Sequence, residues 1–242
     1  MGVLVILISV QKIKISFVFC TKVCIFVPVM TQQIPYQELK ALGNIPIDMG
    51  VLQNLYSGHK SPNMRISLLE KKGILIRLKR GLYAVSPAVS GKELSVGLIA
   101  NHLYGPSYVS LHWVLRWYGL IPERIDTVSS ITTRHTRDFQ NSLGRFTYRG
   151  VSKDYFPIGI KIQEDSGVNY LMATPEKALC DMLMQETYVP DQSVSSLATF
   201  FEEDMRIDVN DIKQLDRGII TQCMETGNKK QILANLLKLM QR

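Results

Sequence analysis

The alternation of apolar and polar positions between residues 34 and 85 predicts three short helices followed by a β-hairpin. The predicted helices span 34–43, 48–58 and 61–73, and a glycine closes each of them. In the second helix, Val51, Leu52 and Leu55 are expected to face the core. Residues 74–85 then form two β-prone runs on either side of a Lys-Arg-Gly turn, which is typical of a hairpin with a basic tip.

The third predicted helix carries the clearest boundary signals. Ser61 is the expected N-cap, and Pro62 occupies the first helical position, where its missing N–H costs nothing. Ile66 and Leu69 are expected to face the core, so the polar residues between them face outward.

The chain beyond residue 88 predicts a mixed α/β domain closed by helices. The predicted helices are 91–105, 107–123, 174–185, 193–204, 209–226 and 228–241. The predicted strands are 126–133, 145–151, 155–162 and 168–174. Ser107, Thr174, Asp208 and Asn228 are the expected N-caps of four of these helices. The predicted fold class is therefore α+β, with an N-terminal winged helix-turn-helix, a mixed α/β C-terminal domain and a helical tail.

This pattern divides the chain into four parts: 1–29, 30–87, 88–190 and 191–242. Lysines interrupt the apolar runs of residues 1–29, so none reaches the ~20 residues of a membrane-spanning helix. Because Met30 opens an ordinary domain start, we expect residues 1–29 to be a start-site extension outside the fold. An unusual membrane anchor is the alternative.

Charge is distributed unevenly along the chain, whose net charge is +7. Residues 30–87 contain eight Lys and Arg against three Asp and Glu, whereas residues 161–242 contain nine against thirteen. A basic front end suits a polyanionic partner, although a generally basic solvated surface would look the same. The four cysteines form no C-x-x-C pair, which argues against a zinc site and favours a reduced cytoplasmic setting.

The order of short helices and hairpin predicts a DNA-binding surface. A helix in the major groove and a hairpin tip on flanking phosphate would use hydrogen-bonding and cationic side chains. The candidate DNA-binding residues are Lys60, Ser61, Asn63, Arg65, Ser67, Lys71, Lys79 and Arg80. The same arrangement also serves as a protein-docking module in other proteins, and that alternative stays open.

A second basic segment, residues 128–150, contains four arginines and a single carboxylate, Asp138. The candidate functional residues of this segment are Arg134, Arg137, Arg145 and Arg149. Arg134 and Arg137 are expected to project from the end of a strand and to act in function. The other two are expected to be structural. The alternative is that some of the four pair with the acidic helices after residue 190.

Four segments, in this order, resemble the AbiEi family, the antitoxins of type IV toxin–antitoxin (abortive phage infection) systems. They are RLKRGLYAV (77–85), GPSYVSLHWVLRWYGLIPE (105–123), SSITTRHTRDF (129–139) and ATPEKALCDML (173–183). The resemblance covers about residues 31 to 190. It implies a winged-helix domain that represses its own operon and a C-terminal domain that counters a nucleotidyltransferase toxin without a stable complex.

The sequence therefore predicts a cytoplasmic antitoxin and autorepressor that binds double-stranded DNA at an inverted repeat in its own promoter. We expect a monomer that binds DNA cooperatively, with no membrane partner, no cofactor, no metal and no catalytic residues. One alternative is a winged-helix regulator whose C-terminal domain binds a small ligand or a partner protein. Another is a nuclease-like enzyme using Asp154, Glu164 and Asp165, or His135 with Asp138.

Overall fold

The computed structural model describes residues 7–10, 13–16, 36–188 and 193–241. The chain divides into two compact units, residues 1–38 and residues 39–242. In the first unit, β1 (Leu7–Val10) pairs antiparallel with β2 (Ile13–Ser16). Most of residues 1–29, predicted to be a start-site extension, lie outside the described residues.

The next elements follow the predicted order of three helices and a hairpin. The helices are α1 (Tyr36–Leu42), α2 (Met49–Leu55) and α3 (Pro62–Lys71). A short strand, β3 (Ile47–Asp48), pairs with β5 (Leu82–Val85), which in turn pairs antiparallel with β4 (Leu75–Lys79). Gly81 forms the turn between β4 and β5 with a φ of +82°, a conformation that glycine adopts without strain.

A six-stranded mixed sheet forms the centre of the remaining chain. Its strands are β6 (Ser107–Val109), β7 (Thr127–Thr132), β8 (Arg137–Asn141), β9 (Gly144–Gly150), β10 (Ile160–Asp165) and β11 (Val168–Ala173). Their order is β10-β11-β6-β7-β9-β8, with β7 parallel to β9 and β6 parallel to β11. The prediction that the strands 126–133 and 145–151 are neighbours is thus confirmed, whereas β8 was not predicted.

Helices cover this sheet and continue into the C-terminal tail. They are α4 (Pro87–Ser90), α5 (Val96–Leu103), α6 (Leu111–Trp117), α7 (Pro175–Gln185), α8 (Val194–Thr199), α9 (Val209–Lys213), α10 (Arg217–Thr226) and α11 (Lys230–Leu239). A single π-helical turn, Phe200–Asp204, extends α8. Across these described ranges the protein is a mixed α+β structure, as predicted.

Several local expectations are wrong. Ser107 lies in β6 rather than at a helix N-terminus, because residues 107–109 pair with β7 and the helix starts only after Ser110. Val51 is 49% exposed instead of facing the core. The predicted helix 209–226 is two helices, since Asp216 accepts a hydrogen bond from the N–H of Gly218 and starts α10.

The hairpin β4–β5 shares its hydrophobic core with the six-stranded sheet. Leu78, Leu82 and Ala84 belong to the same buried cluster as the apolar residues of α5 and β6. The Asn141 side chain also donates a hydrogen bond to the carbonyl of Leu78 at 3.1 Å. The expected domain boundary at residues 87 and 88 therefore falls inside one compact unit.

A fully buried ion pair lies between α7 and the sheet. Lys177 and Asp181 are one helical turn apart with Nζ and Oδ1 3.6 Å apart, and both side chains are wholly buried. Ser110 donates to Asp181 Oδ2 at 2.6 Å, and Lys177 donates to the carbonyl of Tyr155 at 2.9 Å. Burial raises the pKa of Asp181, although Lys177 and Ser110 oppose that shift. The pair thus links α7 to the residue that starts α6 and to the segment before β10.

Removing one partner of this pair should destabilise the protein strongly. Asp181→Ala leaves the Lys177 ammonium buried without a counter-ion, so we expect the free energy of unfolding to fall by about 3–5 kcal/mol. The double variant Lys177→Met with Asp181→Leu should recover most of that loss, because no charge is then buried. Urea unfolding followed by circular dichroism measures both, and a double variant as unstable as the single one would contradict the argument.

Candidate nucleic-acid interface

Helix α3 forms because its boundary residues and its apolar spacing agree. Ser61 occupies the N-cap position, although its side chain makes no capping hydrogen bond, and Pro62 is the first helical residue. Ile66 and Leu69 are buried as predicted. Gly73 follows the helix with a φ of +68°, and its N–H bonds to the carbonyl of Glu70. The opposite side of α3 is consequently left to solvent.

The outward face of α3 carries hydrogen-bonding side chains. Asn63, Ser67 and Lys71 are exposed, and Arg65 is half-buried. Gln53 of α2 donates a 2.8 Å hydrogen bond to Asn63 Oδ1, which holds this amide in one orientation. The structure thus brings together most of the residues that the sequence assigned to DNA reading.

Two apolar residues on the same face were not predicted as part of the site. Met64 is 72% exposed and Leu68 is 41% exposed, one helical turn apart. With His59, Lys60 and Arg65 they line an open groove of about 500 Å³. The exposure of Met64 and Leu68 could have been predicted from the sequence. Because Ile66 and Leu69 face the core, the 3.6-residue period of the helix places Met64 and Leu68 on the outer face.

At the hairpin tip, the two predicted cations differ in their surroundings. Lys79 Nζ donates to the carbonyl of Leu103 at 2.6 Å and lies 3.4 Å from that of His102, at the C-terminal end of α5. Burial lowers the pKa of Lys79, Asp48 raises it, and the neighbouring arginines of residues 134–137 lower it further. Arg80 is exposed. Lys79 is thus held by the carbonyls of α5 and its phosphate contact stays a prediction, whereas Arg80 is the exposed cation of the tip.

The strands β8 and β9 separate the four candidate arginines into two pairs. Arg145 and Arg149 each form a 3.0 Å ion pair with Asp138, which lies between them on the neighbouring strand. Partial burial raises the pKa of Asp138, but the hydrogen bonds from both guanidinium groups hold that pKa below its ordinary value. The alternative pairing of these arginines with the acidic tail is wrong, because their partner lies within the same hairpin.

The other two arginines stack on an aromatic ring. The guanidinium groups of Arg134 and Arg137 lie 5.5 and 5.7 Å from the centroid of the Tyr104 ring, and Arg137 also lies 5.0 Å from that of Phe139. Both arginines are exposed and, among the residues described, neither is in an ion pair with a carboxylate. They and Lys79 are close enough to affect one another electrostatically. We call Arg134 and Arg137 the stacked arginine pair.

Asp154 and Asp138, two of the carboxylates considered for an enzyme, both lie at the surface. Asp154 is exposed, and the carboxylate of Asp138 is already bound by two arginines. Within these ranges, no group of three or more His, Cys, Asp or Glu side chains is placed to hold a metal ion. In the same part of the chain, no helix has the length and apolar character needed to cross a bilayer.

No protein-family model matches this chain, and a search of curated proteins finds no significant match.

The ion pairs of Asp138 should contribute a small, pH-dependent stability. Because both arginines are partly exposed and solvent screens the pairs, Asp138→Asn should lower the free energy of unfolding by about 0.2–1 kcal/mol at neutral pH. The pKa of Asp138 is lowered in the folded state, so this contribution is present above the unfolded pKa and is lost as pH falls through the folded pKa. Urea unfolding at a series of pH values measures it.

Asp126→Asn is the matched control, because the ion pair of Asp126 with Arg124 is almost fully exposed. We expect this control to leave the free energy of unfolding unchanged. A difference between wild type and Asp138→Asn that stays constant on acidification would contradict the assignment.

Proposed function

We propose that this protein is a double-stranded-DNA-binding autorepressor that also serves as the antitoxin of a toxin–antitoxin operon. The single observation that supports it best is the outward face of α3, whose polar and basic side chains have no carboxylate partner among the described residues. Arg80 at the hairpin tip belongs to the same basic segment, residues 30–87, which contains eight Lys and Arg but only three Asp and Glu. Such a surface suits contacts with the phosphates and base edges of a nucleic acid.

In this proposal, α1 to α3 and the hairpin β4–β5 form a winged helix-turn-helix with α3 in the major groove. Asn63 would pair with an adenine edge and Arg65 with a guanine edge, since these are the bidentate pairings that their side chains permit. Met64 and Leu68 add apolar surface suited to thymine methyl groups. The exposed N-terminus of α3, with Lys60 and Ser61, would contact a backbone phosphate.

The hairpin would act as the wing. Arg80 is exposed at its tip and would contact phosphate outside the bases read by α3. Lys79 would support this contact indirectly, because its bonds to the carbonyls of α5 hold the hairpin against the rest of the unit.

The stacked arginine pair is our proposed antitoxin surface. The Tyr104 ring holds both guanidinium groups at the surface, while Arg145 and Arg149 are occupied by Asp138. In this proposal the protein counters a cytoplasmic nucleotidyltransferase toxin encoded beside it and needs no cofactor, metal or catalytic residue of its own. The AbiEi-like segments described above are what suggest this partner.

A second candidate function is regulation by a small ligand. An open groove of about 590 Å³ lies between β4 and the turn that joins β8 to β9, lined in part by Arg77, Arg80 and Gln140. A ligand there would touch both the wing and the central sheet and could change DNA affinity. The gene beside this one separates the two functions, because a nucleotidyltransferase neighbour favours the antitoxin and a metabolic neighbour favours the ligand-regulated repressor.

Removing the base-reading side chains should abolish repression and spare toxin rescue. Asn63→Ala with Arg65→Ala should weaken binding to the operon's own promoter by about 1–3 kcal/mol per lost base contact, measured by gel shift against unrelated DNA. The control is Lys213→Ala with Arg217→Ala, which removes two exposed cations from the helical tail. Loss of both promoter binding and toxin rescue at unchanged stability would contradict the separation of the two activities.

Changing the stacked arginine pair should have the opposite effect. Arg134→Ala with Arg137→Ala should reduce rescue of growth when the full-length protein is co-expressed with the neighbouring toxin gene, while base-specific promoter recognition is retained. Full-length variants are required because the hairpin shares the core of the unit. Arg145→Ala with Arg149→Ala is the matched control and should retain rescue; equal loss in both double variants would contradict the assignment.

A further inference from the structure

The six-stranded sheet ends at β10, and this end has an open edge. β10 pairs with β11 along its whole length, from Ile160 opposite Ala173 to Asp165 opposite Val168. Within the described part of the chain, no strand pairs with its other side. Such an edge exposes backbone N–H and C=O groups that can hydrogen-bond to another strand.

The hydrogen bonds of β11 identify which backbone groups of β10 face the open edge. The N–H of Leu171 donates to Asn101 Oδ1 at 2.7 Å, and Asn101 Nδ2 donates to the carbonyl of Leu171 at 3.4 Å. Because Leu171 turns its backbone groups away from β10, its opposite residue Ile162 must point its own N–H and C=O outward. The same holds for every second residue, Ile160 and Glu164. Consistently, the carbonyl of Glu164 accepts a bond from the Gln163 side chain.

This edge is regular along its length and has an apolar centre. The side chain at its centre, Ile162, is 70% exposed, and its cross-strand neighbour Leu171 is 39% exposed. β10 contains no proline, and its register with β11 has no bulge. The charged residues of β10 are Lys161, Glu164 and Asp165, and the Lys161 ammonium lies 5.0 Å from the centroid of the Tyr118 ring. A regular edge strand with an apolar centre is a pairing site.

The opposite end of the sheet is built differently. The edge strand β8 begins with the charged residues Arg137 and Asp138. Its last residue, Asn141, is hydrogen-bonded to β4 through the carbonyl of Leu78. A neighbouring hairpin therefore protects the end of β8, whereas within the described ranges no strand pairs with the outer side of β10.

We propose that the open edge of β10 pairs with β10 of a second copy of this chain, antiparallel about a two-fold axis at Ile162. In this register the outward backbone groups of Ile160 meet those of Glu164 in the other copy, and Ile162 meets itself. The exposed Leu171 and Ile162 of both copies then form one continuous apolar row across the joined sheets. If the register between the two copies were shifted by two residues, Ile162 would lie opposite Glu164. If it were shifted by one residue, the outward backbone groups of one copy would lie opposite residues whose backbone groups point away from the interface.

Charge complementarity supports the same register. On the other face of β10, Lys161 of each copy lies diagonally across from Asp165 of the other copy. The right-handed twist of the sheet shortens that diagonal and lengthens the one between the two Lys161 side chains. The dimer differs from the monomer expected from the sequence, and it does not depend on DNA binding.

Sedimentation equilibrium of the full-length protein over a range of concentrations tests this pairing. We expect a monomer–dimer equilibrium whose dissociation constant rises at least about tenfold, or about 1.4 kcal/mol, in Ile162→Pro. Proline at this position removes only an N–H that faces solvent in the monomer, so the fold should be retained, as thermal unfolding would verify. Ile45→Lys, which changes another exposed isoleucine (52% exposed), is the matched control and should dimerise as wild type does.

Charge exchange provides a second, independent test of the register. Lys161→Glu and Asp165→Lys should each weaken dimerisation, and the double variant should restore it, because both diagonal pairs are then re-formed with reversed sign. A wild-type protein that stays monomeric at every concentration, an undiminished dimer in Ile162→Pro, or a double charge exchange that restores nothing would each overturn the proposal.

Discussion

The buried pair of Lys177 and Asp181 is the interaction on which the arrangement of the sheet and its helices depends. A lysine that is wholly buried is tolerated only with a counter-ion and hydrogen-bond partners. Here Asp181 of α7 and the Tyr155 carbonyl before β10 contact Lys177, and Ser110, which starts α6, donates to Asp181. Because groups on three elements must contact this one ion pair at the same time, the positions of these elements relative to one another are restricted. The β10 edge belongs to the sheet that this pair holds in place, and Tyr104 ends α5, which packs against that sheet.

On the surface, a single carboxylate determines which cations are available. Asp138 binds Arg145 and Arg149, and the carbonyls at the end of α5 bind Lys79. Arg134 and Arg137 remain exposed on their aromatic support. Two of the four arginines in residues 128–150 are therefore paired within the hairpin, and the number of arginines overstates how many are available to a partner.

The central sheet has two unequal edges, which suggests two different uses. The end at β8 lies beside the hairpin of the proposed wing, and the end at β10 is open and apolar at its centre. If two copies join at β10, their proposed DNA-reading helices become related by a two-fold axis. That symmetry suits an inverted repeat, in which the two half-sites are related in the same way.

Elements whose signals are local can be predicted from the amino-acid sequence alone. The helices at 61–73 and 174–185 and the hairpin at 74–85 were predicted because capping residues, proline, glycine and apolar spacing agree within a dozen residues. Four other features become visible only in the folded chain: residues 107–109 form a strand, Lys79 binds α5, Val51 faces solvent and Asp138 pairs with two of the four arginines. Each of these outcomes depends on partners that are distant in sequence or on a neighbouring strand, and no local pattern of residue types specifies such partners.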